Sequence, residues 1–175
     1  SSVVNAAWIF AWHYRQLTLS LALMLLLLVS LMSIGWLLRT PHGSMKEEWA
    51  LRIPFGLYFG WITVATIANV SVLLVSLNWN GFGLSPAVWT VAVLLAGLAI
   101  ACVTMYRIRN VAYGLAVVWA YAWILVRQLS PAEYGGRYPA IIATAVVSLI
   151  ALIAVLVKTV VNAQRVAACK TTDQS

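Results

Sequence analysis

The sequence predicts an all-α integral membrane bundle of about six helical segments, the first of them incomplete. Three observations carry this. Of 175 residues, 63% are hydrophobic and only 9% charged, and the mean hydropathy of +0.94 fits little else. Uncharged runs at Leu17–Leu38 and Ile53–Leu77 each exceed the ~20 residues that cross a hydrocarbon core of about 30 Å. The basic residues sit singly or in pairs at the ends of such runs, which makes them topology determinants and headgroup anchors. A nucleic-acid partner is excluded on the same ground: the net charge of +7 is not gathered on one polar surface.

Residues 1–14 form an apolar, aromatic helical segment with Asn5, Trp8 and Trp12 on one face, too short to cross at about 1.5 Å per residue. His13 to Gln16 is a polar turn, and Leu17 to Leu38 is the next span. Its leucine-rich middle has no polar face, which suits contact with lipid. The connection 39–52, with Lys46, Glu47, Glu48 and Trp49, reads as a short interfacial helix ahead of a span that opens at Pro54, whose missing N–H is harmless in a first turn.

This central span organises the chain. Pro54, Tyr58, Trp61, Ala65, Asn69 and Val72 fall in one stripe at 3.6 residues per turn. A phenol hydroxyl, an indole N–H and an amide facing lipid would lack partners, so the stripe must meet protein, water or a ligand. Gly56 and Gly60 form a separate G-x-x-x-G pair, a signal for close approach of another helix.

After the uncharged loop 79–85, Ser85 is placed as an N-cap with Pro86 at the first helical position of a span reaching about Tyr106. A basic turn, 107–110, precedes a span from Asn110 to about Val126 with a small-residue seam at Ala112, Ala116 and Ala120, flanked by Trp119 and Trp123. A loop with Pro131, Gly135 and Gly136 leads to the last span, Tyr138 to about Val157, with a second seam at Ala140, Thr144 and Ser148. The organisation is thus 1–80, then 81–160 with three further helices, then a polar tail, 161–175. Eight of the 11 Lys and Arg lie on the side of the C-terminus, which the positive-inside rule makes cytoplasmic.

Two motifs resemble a known family. Pro54, Tyr58, Trp61, Ala65 and Asn69, followed by Asn78, resemble the last helix of the translocator protein family, the TspO or tryptophan-rich sensory proteins. Asn5, Trp8 and Trp12 resemble the N-x-x-W-x-x-x-[FW] start of that family's third helix. The resemblance covers residues 1–80, implies that the chain begins inside the third helix, and makes the helices after residue 85 a longer variant. It implies a pocket for a flat hydrophobic molecule, a tetrapyrrole such as haem, a porphyrin or a chlorophyll-type pigment. Trp61 and Ala65 match pocket-facing positions, with Asn5 and Trp8 supplied by the third helix. Tyr58, Trp12 and Asn69 complete the expected lining, and the Asn5–Trp8–Trp12 face is expected to turn toward the Tyr58–Trp61–Asn69 face.

No acidic or basic residue falls in the centre of any span, which argues against a proton relay, an intramembrane hydrolase and enzymatic activity generally. No C-x-x-C or Cys/His cluster is present, so no metal site is expected. Two functions remain: a membrane-embedded receptor for a hydrophobic small molecule, and an accessory subunit of a larger, pigment-containing membrane complex. Either has lipids as neighbours, and other subunits or a homo-oligomer as partners.

Overall fold

The computed structural model describes residues 2–38 and 45–172. The regular elements are α1 (Ser2–His13), α2 (Leu17–Leu37), α3 (Met45–Ser76), α4 (Pro86–Ile108), α5 (Val111–Leu129) and α6 (Pro139–Thr172), with a 3-10 turn at Gly81–Gly83. Five of them are long and apolar enough to cross a membrane: α2, α4, α5, the Ala50–Ser76 part of α3 and the Pro139–Asn162 part of α6. With 12 residues, α1 reaches only about 18 Å. The helical membrane bundle and its breaks near 15, 78–85, 107–110 and 127–137 follow the sequence reading.

Two expectations are corrected. The interfacial helix and the central span are one continuous helix, with Pro54 inside it. The bond that Pro54 cannot make falls to the carbonyl of Ala50, an exposed residue, so the loss occurs where polar surroundings can supply a partner; residues 39–44 lie outside the described residues in backbone. The seam on α6 is displaced: Ala140 is exposed and Thr144 donates to the Ala140 carbonyl at 2.8 Å. Of the predicted seam only Ser148 lies on the packed face, which runs through Ile141, Ala145, Ser148 and Leu152, because α6 is apolar on every side and small residues alone do not select its face.

Packing runs α1 on α2, α2 on α3, α3 on α5, α5 on α6 and α6 on α4, with lighter contacts closing α4 back onto α3 and α5. The core is built from Met24, Leu27, Leu31, Met105, Tyr113 and Leu152, which are 0–1% exposed. Glycine sets the α3–α5 approach. A Cβ on Gly60 would lie 2.6 Å from the Tyr113 carbonyl oxygen and 2.8 Å from the Ala116 Cβ, and one on Gly56 would meet the Asn110 amide. The G-x-x-x-G pair and the Ala112–Ala116–Ala120 seam, all three alanines being buried, are thus the two sides of one contact.

Turn chemistry fixes the rest. Ser85 Oγ accepts from the Val88 amide at 3.4 Å and Pro86 opens α4. Arg109 closes α4 with φ of 53°, and Asn110 starts α5: its Oδ1 accepts from the Ala112 amide at 2.9 Å while its Nδ2 donates to the Arg52 carbonyl at 2.9 Å. One side chain therefore caps α5 and ties it to α3. Tyr121 donates from α5 to the Leu94 carbonyl of α4 at 2.7 Å.

Candidate ligand groove

Because α3 and α5 meet through small residues, their larger neighbours are left standing on either side of the contact. An open groove of about 650 Å³ results, lined by Pro54, Leu57, Tyr58 and Trp61 of α3 and by Leu115, Ala116 and Trp119 of α5. Its two indoles are more than half exposed, Trp61 at 56% and Trp119 at 58%. Trp123 extends the aromatic wall, edge-on to Trp119 with ring centroids 5.8 Å apart. Tyr58, a half-buried lining residue, carries a hydroxyl oxygen shielded from solvent and without a hydrogen-bond partner among the described residues. An unpaired buried hydroxyl is costly. Flat apolar faces beside a small residue form a surface that can stack a planar molecule.

The structure divides the predicted site residues among three places. Tyr58 and Trp61 share the groove. Asn69 is 4% exposed and turns to α2, where its Nδ2 donates to the Ser20 Oγ at 3.3 Å; Ala65 packs, half-buried, against the core. Asn5, Trp8 and Trp12 are on α1, which packs on α2, and α1 with α3 is not among the helix pairs in substantial contact. The expected facing of those two stripes is therefore not what forms, since the Ser20–Asn69 bond and the buried face of α2 occupy that side of α3. On α1, Trp8 stacks on Trp12 at 6.3 Å and 30°, and the Trp8 indole nitrogen is buried without a hydrogen-bond partner among the described residues.

Leu115, Ala116 and Trp119 were not among the predicted lining, although a signal for them existed. Once the glycines of α3 are matched to the alanine seam of α5, Leu115 and Trp119, flanking Ala116 one helical turn apart, must stand beside Trp61. The profile of the family described as TSPO-like protein matches residues 1–158, running through the helices after residue 85 as well as those before it. No curated protein and no solved structure was found to match the chain.

Proposed function

The chain belongs to the TSPO-like protein family, and from that premise we propose that it is a membrane-embedded receptor for a flat hydrophobic molecule of the tetrapyrrole class, held against Trp61 in the α3–α5 groove. The observation that carries this is the juxtaposition of two exposed indoles with the buried, unpaired Tyr58 hydroxyl. Trp61 and Trp119 supply stacking faces, Ala116 leaves room between them, and rotation of the Tyr58 side chain toward the groove would bring its unpaired hydroxyl to the ligand as the orienting hydrogen bond. The groove opens laterally, so the ligand enters from the bilayer. Binding, not catalysis, is the activity assigned. By the positive-inside rule, the end where Arg52 donates to the Arg109 carbonyl at 3.3 Å is placed in the cytoplasm, with the C-terminus.

The test is tryptophan quenching by a titrated porphyrin in detergent. Trp61→Ala is expected to weaken binding by about 1–3 kcal/mol, from lost stacking and lost apolar burial. Trp36→Ala, half-exposed at the end of α2, is expected to leave it unchanged. Equal affinities for the parent and Trp61→Ala would refute the groove and favour the other reading, an accessory subunit whose aromatic α3–α5 face is covered by a partner helix.

A further inference from the structure

A second cavity, of about 580 Å³, lies between the C-terminal end of α3 and the N-terminal end of α4, at the opposite end of the bundle from Arg52 and Arg109. We propose that it binds one molecule of an uncharged, hydroxyl-bearing lipid with a single acyl chain, of the monoacylglycerol kind. The site is separate from the Trp61 groove and does not depend on it.

The roof is pre-formed. Trp89 Nε1 donates to the Gly81 carbonyl at 2.7 Å, and Asn80 Oδ1 accepts from the Phe82 amide at 3.1 Å. These bonds hold a loop in which Asn78, Gly81, Phe82 and Gly83 all have positive φ, between 52° and 76°. Such backbone persists for a bulky residue like Phe82 only where its surroundings over-determine it. A Cβ at Gly81 would lie 2.6 Å from the Trp89 indole nitrogen, so the loop can sit this close only as glycine. The Trp79 and Trp89 rings, with centroids 4.6 Å apart, close the top.

Below the roof the walls are apolar, with Leu74 and Val75 on α3 and Val93 on α4. From Pro86 to Val93 the slot descends about 10 Å along α4, confined between two helices, a shape that takes a chain more readily than a broad ring. The polar groups that remain are all neutral. Thr90, one turn below Pro86, spends its hydroxyl proton on the Pro86 carbonyl at 2.9 Å and keeps oxygen lone pairs that can accept, while Ser71, deeper in the slot beside the chain, spends its proton on the Ile67 carbonyl at 3.1 Å. The Asn80 Nδ2 has no hydrogen bond among the described residues and can donate. No lining residue is charged, so an ionised headgroup would lose its hydration without gaining a counter-charge. A head that both donates and accepts, on one apolar tail, matches this set.

The experiment is photo-crosslinking of the full chain in phosphatidylcholine vesicles with a monoacylglycerol carrying a diazirine on its acyl chain, the adducts being mapped by mass spectrometry. Adducts are expected at 71–75 and 89–93, competed by unlabelled monoacylglycerol and not by lysophosphatidate. Val93→Trp and Leu74→Trp, which fill the slot, are each expected to reduce them about tenfold. Asn80→Asp, an exposed loop change that leaves the core untouched, is expected to do the same by placing a charge at the head position. Trp61→Ala should leave labelling unchanged, which separates this site from the porphyrin groove. Adducts spread over outward residues such as Val147 and Ile150 of α6, equal competition by lysophosphatidate, or full labelling of Asn80→Asp would each overturn the proposal.

Discussion

Replacing Gly60 by Ala should push α3 off α5. The added Cβ would stand 2.6 Å from the Tyr113 carbonyl oxygen and 2.8 Å from the Ala116 Cβ, where carbon contacts settle at about 3.5–4.0 Å. The carbonyl is backbone of α5 and cannot rotate away, so relief requires the helices to part by close to 1 Å. A radial gap of that size forfeits about a quarter to a half of each contact well along the seam, where Phe59, Ile62, Tyr113 and Val117 are all buried. Over-packing of this kind costs about 1–3 kcal/mol, and the rigidity of the obstacle places Gly60→Ala at the upper end. Ala116→Gly in the same chain removes the Cβ clash and leaves the carbonyl clash, so it should restore less than half. Gly35→Ala is the control. Its nearest neighbour is the mobile end of Ile108, at 3.3 Å, and its cost should stay within about 1 kcal/mol of zero, either sign, because Ala is the better helix former. Reversible unfolding in mixed micelles of mild detergent and dodecyl sulfate, followed by circular dichroism, reads all four proteins. Equal stability of Gly60→Ala and Gly35→Ala would refute the tight α3–α5 approach.

Two further outcomes follow from the polar contacts. A double-mutant cycle on Ser20→Ala and Asn69→Ala should give a coupling of about 0.6 kcal/mol, and at most about 1.7, the range for hydrogen bonds between membrane helices; the separations of 3.3 and 3.4 Å favour the lower value, and strict additivity would show that the pair does not interact. Asn110→Ala removes the cap of α5 and its tether to Arg52 together, and should destabilise by about 1–2 kcal/mol or somewhat more. Asn110→Asp keeps the cap acceptor but loses the donor to Arg52, so a melting series should place it between the parent and Asn110→Ala.

The spans, the breaks near 15, 78–85, 107–110 and 127–137, the Ser85 cap and the two sides of the α3–α5 seam were legible in the sequence because each rests on local chemistry: an uncharged run, a capping oxygen before proline, small residues four apart. The α6 seam was not, since every face of that helix is apolar and its small residues do not distinguish among them. Half of the groove was missed for a different reason. Sequence reasoning treated α3 as a helix with one polar stripe, but Trp61 and Asn69 are about 80° apart around its axis. A helix that packs on α2 along one side and on α5 along another divides a stripe of that width. Asn69 then serves the α2 contact and Trp61 the α5 groove.

That division fixes how a ligand at Trp61 would gain affinity. The interior is filled by side chains such as Met24 and Leu152, which have no exposed surface, so the route to Trp61 is lateral and a ligand displaces lipid tails rather than water. Lipid tails are as apolar as leucine, and exchanging them gains almost nothing from burial. In a bilayer the affinity must come from what lipid cannot offer, namely stacking on the indoles and a partner for the Tyr58 hydroxyl. Tyr58→Phe, which keeps the ring and deletes the oxygen, should therefore weaken porphyrin binding by about 0.5–1.5 kcal/mol, the net value of one hydrogen bond. In vesicles that loss should be a larger share of the total than in detergent, where apolar burial adds to it. Quenching titrations of the parent and Tyr58→Phe in both media give the four affinities required. If Tyr58→Phe binds as well as the parent in vesicles, the hydroxyl does not face the ligand, and the groove loses the observation that singles it out.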